Sequence, residues 1–167
     1  VNAELYLSTG AFIGRINGRD HRLLFQCVDQ LDCDGFEVML YENWYDQIDV
    51  IAREIRASGA RCPALHADKS IGSLMGCPGD PVRKRRTELW KRNCDFAASI
   101  GAGKVVAHLW GPPYSDCYME PLAEQYGELL AVAHFFGVEL VAENCICGRG
   151  SPLRRIERLA ALYPDAG

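Results

Sequence analysis

The 167-residue sequence predicts an α/β fold of parallel strands, the first five strand-helix units of a (β/α)8 barrel. Three observations carry that expectation. A short apolar run, a polar loop and an amphipathic segment of helical period recur five times along the chain. Several loops that leave strands are long and rich in Gly, Pro, Asp and Ser (9–19, 68–79 and 110–119), whereas those that leave helices are short. The repeat averages about 33 residues, so eight units need roughly 265, close to the size of a closed barrel.

The strands are read at 4–8, 35–40, 62–67, 104–109 and 138–143. Each is brief and dense in apolar residues, as strands covered on both faces should be. Helices are read at 20–31, 46–58, 80–100, 120–136 and 151–162. Asp20, Asp46, Asp80 and Ser151 offer short side-chain oxygens to the free N–H groups of a first turn. Pro81 and Pro152 sit where a first-turn proline costs nothing. Gly59, Gly101 and Gly137 follow three of the helices, as left-handed C-caps do. A doubly wound open sheet is the structural competitor, but its glycine fingerprint is missing: 8–14 lacks the third glycine and the phosphate-binding lysine. One domain over 1–167 follows, a truncated barrel with strands six to eight expected beyond it. Such an open unit is expected to aggregate or pair with another chain through its bare sheet edge.

No apolar run approaches the roughly 20 residues that span a bilayer, and the N-terminus lacks a signal-peptide layout, so a cytoplasmic protein is expected. A net charge of −4 supplies no basic field, which disfavours a nucleic-acid partner. The eight cysteines form no C-x-x-C pair and are expected to be reduced. Cys145 and Cys147, two residues apart, suit a structural zinc poorly.

Four polar side chains interrupt the apolar strands at or near their ends: Glu37, His66, His108 and Glu143. A lone strand histidine is more often a hydrogen-bonded core residue than a ligand. Two at matching strand ends, with Glu143 beside them, form a donor set that Zn2+, Mn2+ or Co2+ accepts. Glu139 shares the face of Glu143 by alternation but lies toward the barrel floor, where a solvated or layer-filling role is expected. Glu37 is read as binding a substrate hydroxyl or pairing with Lys69 or Arg15. Lys69 suits a phosphate or a carbonyl, although a lysine exposed on a loop is the commoner case. Trp110 is read as an apolar wall for a sugar, or as packing under the 111–113 loop. The basic run 83–86 is expected to be a solvated helix face. Ser8 has no His-Asp partnership, which speaks against a serine hydrolase.

Leu5-Tyr-Leu-Ser-Thr-Gly10, Cys33-Asp-Gly-Phe-Glu37, Ala64-Leu-His-Ala67, the segment 94–108 and Gly137-Val-Glu-Leu-Val-Ala-Glu-Asn144 are each loose patterns. In this order and strand placement the chain resembles the xylose isomerase-like TIM barrels. That family includes sugar phosphate isomerases and epimerases, hydroxypyruvate isomerase, inosose dehydratase and endonuclease IV. The resemblance implies that Glu143 is a metal ligand and, in the isomerases, an acid/base. It implies that His66 and His108 line the site, binding metal in the endonuclease branch and more often substrate in the isomerases. Further ligands are implied on strands six to eight. The implied activity is isomerisation or epimerisation of a sugar or sugar phosphate through an enediolate, with a divalent metal (Mn2+, Mg2+, Co2+ or Zn2+). Glu37, His66, Lys69, His108 and Trp110 would contact the substrate, and these 167 residues alone would be inactive. An abasic-site nuclease and a non-catalytic sugar-binding barrel are the alternatives, and an oligomer is compatible with each.

Overall fold

Five strands hydrogen-bond in chain order in the computed structural model, which describes residues 3–111, 119–146, 151–164 and 166. They are β1 (Tyr6–Ser8), β2 (Gly35–Met39), β3 (Ala64–His66), β4 (Lys104–Ala107) and β5 (Glu139–Ala142), all parallel. The order steps in one direction and never reverses, which excludes the doubly wound alternative, whose strand order must switch direction. Right-handed crossovers that always advance the same way leave the helices on one face of the sheet. The other face turns toward a barrel axis.

Side-chain alternation divides the strand residues between those two faces. Phe36, Val38, Leu65, Val105, Ala107 and Leu140 are at most 3% exposed beneath the helices. Glu37, Met39, His66, Val106, Glu139 and Val141 alternate with them and face the axis. Register arranges the axis-facing residues in layers. Ser8, Glu37, Ala64, Lys104 and Glu139 form the lower one, with Met39, His66, Val106 and Val141 above it. The Glu143 N–H donates to the Ala107 carbonyl at 3.0 Å, extending the β4–β5 ladder one step further.

The helices are α1 (Leu23–Cys27), α2 (Ile48–Ala57), α3 (Ser70–Leu74), α4 (Asp80–Ile100), α5 (Met119–Phe135) and α6 (Pro152–Leu162). Trp90 of α4 is fully buried and donates its indole N–H to the Leu129 carbonyl of α5 at 2.8 Å. Gly59, Gly101 and Gly137 adopt the left-handed conformation expected of them, with φ of 75°, 83° and 69°. No helix of the described residues is long and apolar enough to cross a membrane.

Several expectations are corrected. The first helix starts at Leu23: Asp20 accepts from the Arg22 N–H at 3.0 Å, as a cap would, but its carboxylate also grips the Arg22 guanidinium and the chain passes through a turn before α1 begins. Asp46 lies inside a 3-10 segment, Glu42–Gln47, that buries Trp44 and Tyr45 before α2 begins. Asp80 and Ser151 stand at helix starts without a side-chain capping bond. The 68–79 loop contains α3, made feasible by Gly72: a Cβ there would stand 2.8 Å from the His108 carbonyl oxygen and 2.9 Å from that of Trp110. The basic run is not wholly solvated. Arg86 is completely buried between α4 and α5, paired to Glu128 at 2.9 Å, while the more exposed Arg83 takes the other oxygen at 2.6 Å.

Cys27, Cys33, Cys62, Cys77 and Cys94 are free thiols; Cys117 and Cys147 lie outside the described residues. Burial pushes Cys62 and Cys94 up to about 12. Since the thiolate is the nucleophile, iodoacetamide at a mildly alkaline pH should label half-buried Cys27 and Cys33 in the native chain and spare Cys62 and Cys94. Peptide mass spectrometry reads the pattern. Leu65, fully buried under the helices, gives the companion test of packing: Leu65→Ala should cost about 2–5 kcal/mol, measured by denaturant unfolding.

Candidate metal and substrate site

β3 ends on His66, and the ring is fixed from behind. Its Nδ1 lies 2.9 Å from the Ala67 carbonyl oxygen, to which an Nδ1–H donates, and its side chain is only 6% exposed. With Nδ1–H so committed, the ring turns Nε2 toward Glu143 Oε2 at 2.8 Å, where it can carry a second proton or face a metal ion. His108, immediately after β4, brings its own Nε2 to 2.7 Å from the same oxygen. The two rings meet edge to face, with centroids 5.1 Å apart. One ligand atom from each of His66, His108 and Glu143 lies within 4.8 Å of the others.

Two electron-rich atoms 2.8 Å apart require a positive charge between or beside them, either a second proton on the imidazole or a metal ion. Two imidazole nitrogens and a carboxylate oxygen fit a divalent transition metal or zinc, and the backbone bond on Nδ1 is the outer support that orients a histidine ligand. Electrostatics favours the same donor state. Burial holds the His108 imidazole below the usual histidine range, with the charges on His66 and Lys69 adding to that and Glu143 opposing it. Burial pushes the Glu143 carboxyl up, but the His66 hydrogen bond and the charges of both imidazoles outweigh it and hold it below the usual carboxylate range.

The remaining candidates are dispersed. Glu37 sits in the lower layer with Lys104 and Glu139, four strand positions below Glu143 in register, and among the described residues no ion pair joins it to Lys69 or Arg15. Glu139 pairs with Lys104 at 3.6 Å, the floor position expected of it. Lys69 is exposed at the rim, lining a cavity of about 330 Å3 over the ends of β1 to β3. Trp110 corrects the expectation of a sugar-facing wall: it is 1% exposed, and its indole N–H donates to the Cys145 carbonyl at 3.0 Å. It is a strut that ties the β4 exit loop to the segment after Glu143. Larger cavities, of about 440 and 460 Å3, lie against α5, β5 and α6 and between residues 17–22 and α2, away from the donor cluster.

Sequence reasoning missed two features of the site. A buried network backs the His66 loop: the Asp68 N–H donates to Asn93 Oδ1 at 2.9 Å, and Asn93 Nδ2 donates to the Tyr45 hydroxyl at 2.8 Å. Asp68, two residues past His66, was open to the alternation argument; Asn93, mid-helix in α4, was not. The rim cavity also takes in Arg19 and Tyr41, which no local pattern singles out.

With fold and donors in view, the comparisons are coherent. Residues 25–163 match the profile of the family described as xylose isomerase-like TIM barrel, and the chain belongs to that family. No curated protein matches the sequence. Solved structures do. D-allulose 3-epimerase from Methylomonas sp. is 12% identical with a TM-score of 0.67, over 98% of this chain and 60% of that one. It has also been crystallised with D-allulose. The 3-keto-D-glucoside 4-epimerase of E. coli is 16% identical at a TM-score of 0.67, covering 96% and 64%. A Thermus thermophilus protein soaked with zinc chloride is 22% identical at a TM-score of 0.65, covering 96% and 63%. At these identities the likeness shows the fold, and the chain spans less than two thirds of each of these relatives.

The strut role of Trp110 is open to test. Trp110→Phe keeps most of the ring volume but loses the bond to Cys145, so it should lower stability by about 1 kcal/mol and leave ligand affinity unchanged. Thermal melts paired with ligand titration separate the two effects.

Proposed function

We propose that this chain carries the metal-holding half-site of a sugar or sugar-phosphate isomerase or epimerase. The observation that carries the reading is the convergence of both imidazole Nε2 atoms on a single oxygen of a strand-end glutamate. Glu143, His66 and His108 would hold a divalent ion, and two nitrogen donors favour Zn2+, Mn2+ or Co2+ over Mg2+, which prefers oxygen ligands. Bound there, the ion would supply positive charge to the substrate oxygens as negative charge develops on them.

The chain's own residues account for the rest. Glu143 is kept ionised by its two imidazole neighbours, and its side chain is 41% exposed, so a substrate can reach it. The Oε1 atom, which neither histidine engages, is the base that takes a proton from carbon next to a carbonyl and returns it. His66 is immobilised by Ala67 and holds the carboxylate in place rather than turning over itself. Lys69 stands at the rim to receive the polar end of the substrate. The neighbours that are epimerases, one of them crystallised with its sugar, support the reaction class.

The test is solvent exchange. Metal-loaded full-length protein should exchange substrate C–H for deuterium on at least one member of a ketose and ketose-phosphate panel, and Glu143→Gln should slow it by about 100-fold or more. Zinc affinity, read by chelator competition, should fall at least about tenfold in His66→Ala and in His108→Ala. Absence of exchange across the panel with all four metals would sink the proposal. The histidine pair on Glu143 also suits an abasic-site nuclease, a reading that the net charge of −4 weighs against. Metal-dependent cleavage of an abasic duplex would promote it.

A further inference from the structure

The rim cavity over β1 to β3 contains two cations that the donor cluster does not use. Arg19 is held in the left-handed region, φ 56°, the sole non-glycine residue there among the described residues. Arginine adopts that conformation rarely, and it persists where the surroundings fix it. Here both backbone groups are tied down: the Arg19 N–H donates to the Gly14 carbonyl at 2.9 Å, and the Trp44 indole donates to the Arg19 carbonyl at 2.7 Å. The result lays the guanidinium over the face of Tyr41, 5.0 Å from the ring centroid. That ring is itself anchored by its hydroxyl, which donates to the Ile13 carbonyl.

The backbone on both sides of Lys69 is fixed, Asp68 N–H to Asn93 and Ser70 N–H to Asp68 Oδ1, each at 2.9 Å, while its side chain is exposed. Its charge reaches His108 of the donor cluster. Among the described residues neither Arg19 nor Lys69 has an ion-pair partner. Two carboxylates also line the cavity. Asp68 is 9% exposed and committed to Ser70, whereas Glu42 is exposed. At about 330 Å3 the cavity is of small-molecule size. Its floor includes Met39, the register partner of His66 on the adjacent strand, which sets it about 5 Å across the sheet from the cluster.

We infer that Arg19 and Lys69 form an oxyanion subsite, so that the substrate carries a phosphate monoester or a carboxylate at the end remote from Glu143. The orientation toward Glu143 rests on the isomerase reading above; the binding of an oxyanion does not. A guanidinium fork stacked on an aromatic ring and a flexible ammonium lining the same cavity suit a tetrahedral or planar oxyanion held by charge-assisted bonds.

The probe is inorganic phosphate, titrated calorimetrically into the metal-free chain. Wild type should bind saturably. Arg19→Asn, which tolerates the left-handed backbone, and Lys69→Gln should each weaken binding about tenfold, the loss expected of one charge-assisted contact. Glu42→Gln should tighten it by removing a repelling charge. Thermal melts confirm folding, and if the Arg19 variant unfolds, the exposed Lys69 variant decides. Saturable binding that is unchanged in Lys69→Gln, or no binding by wild type, overturns the subsite. Displacement of phosphate by a ketose phosphate names the monoester, and displacement by a ketouronate names the carboxylate. A neutral ketose that competes as well as either overturns the assignment. Phosphate binding without deuterium exchange would leave the subsite standing and remove the isomerase reading; exchange without phosphate binding does the reverse.

Discussion

Parallel pairing of β3, β4 and β5 decides where every chemistry-bearing side chain points. A slip of one residue would turn His66, His108 and Glu143 into the helix layer and bring Leu65 and Val105 to the axis. The helices oppose that slip. Leu65, Val105, Ala107 and Leu140 are at most 2% exposed on the helix side, and each large aliphatic side chain so buried contributes about 1.5–3 kcal/mol. The donor cluster therefore stands on the core, which fixes its register without help from a bound ion. The same register explains why Gly72 is needed: α3 presses against the backbone just after β4, and a side chain there would displace His108.

Support for the cluster comes from polar groups that the core encloses. Asn93, fully buried on α4, satisfies both ends of its amide: Oδ1 accepts from Asp68, while Nδ2 donates to the Tyr45 hydroxyl and to the Leu89 carbonyl. Burial raises the Tyr45 phenol, with the Asp68 charge adding to it, so the hydroxyl remains a donor across the working pH range. A satisfied buried network of this kind is rigid, whereas removal of one partner strands the others. The loop between His66 and Lys69 inherits that rigidity, which links the His66–His108–Glu143 cluster to the rim.

Strands and long helices were legible because their signal is local. Apolar runs of strand length located β2 to β5 within a residue or two, and the glycines at 59, 101 and 137 marked chain reversals that physically require positive φ. His66, His108 and Glu143 were legible for a related reason: a polar residue ending an apolar strand is conspicuous, and parallel strands converge. What escaped was tertiary. The Asp20 carboxylate accepts from the Arg22 N–H and also grips its guanidinium, and sequence does not show the second bond. Trp110 and Arg86 differ from exposed counterparts through what packs on them, the Cys145 segment and α5 respectively. Arg19 gave no signal, because its conformation is imposed by Gly14 and Trp44.

The layers also separate the two carboxylates, Glu37 and Glu143, that interrupt apolar strands in the sequence. Glu37 shares its register with Ala64, Lys104 and Glu139, and Glu143 lies four residues further along β5. Four residues of strand span about 13 Å. Between them stands a layer in which His66 has Met39 and Val106 as its register partners, and Val141 completes the row. Those apolar neighbours thin the water around the His66 ring, which strengthens its interaction with Glu143. They also set Glu37 apart from the proton that Glu143 would move. A carboxylate so placed belongs with the Lys104–Glu139 pair at the floor of the sheet, which leaves Glu143 at its mouth as the carboxylate in reach of the two imidazoles.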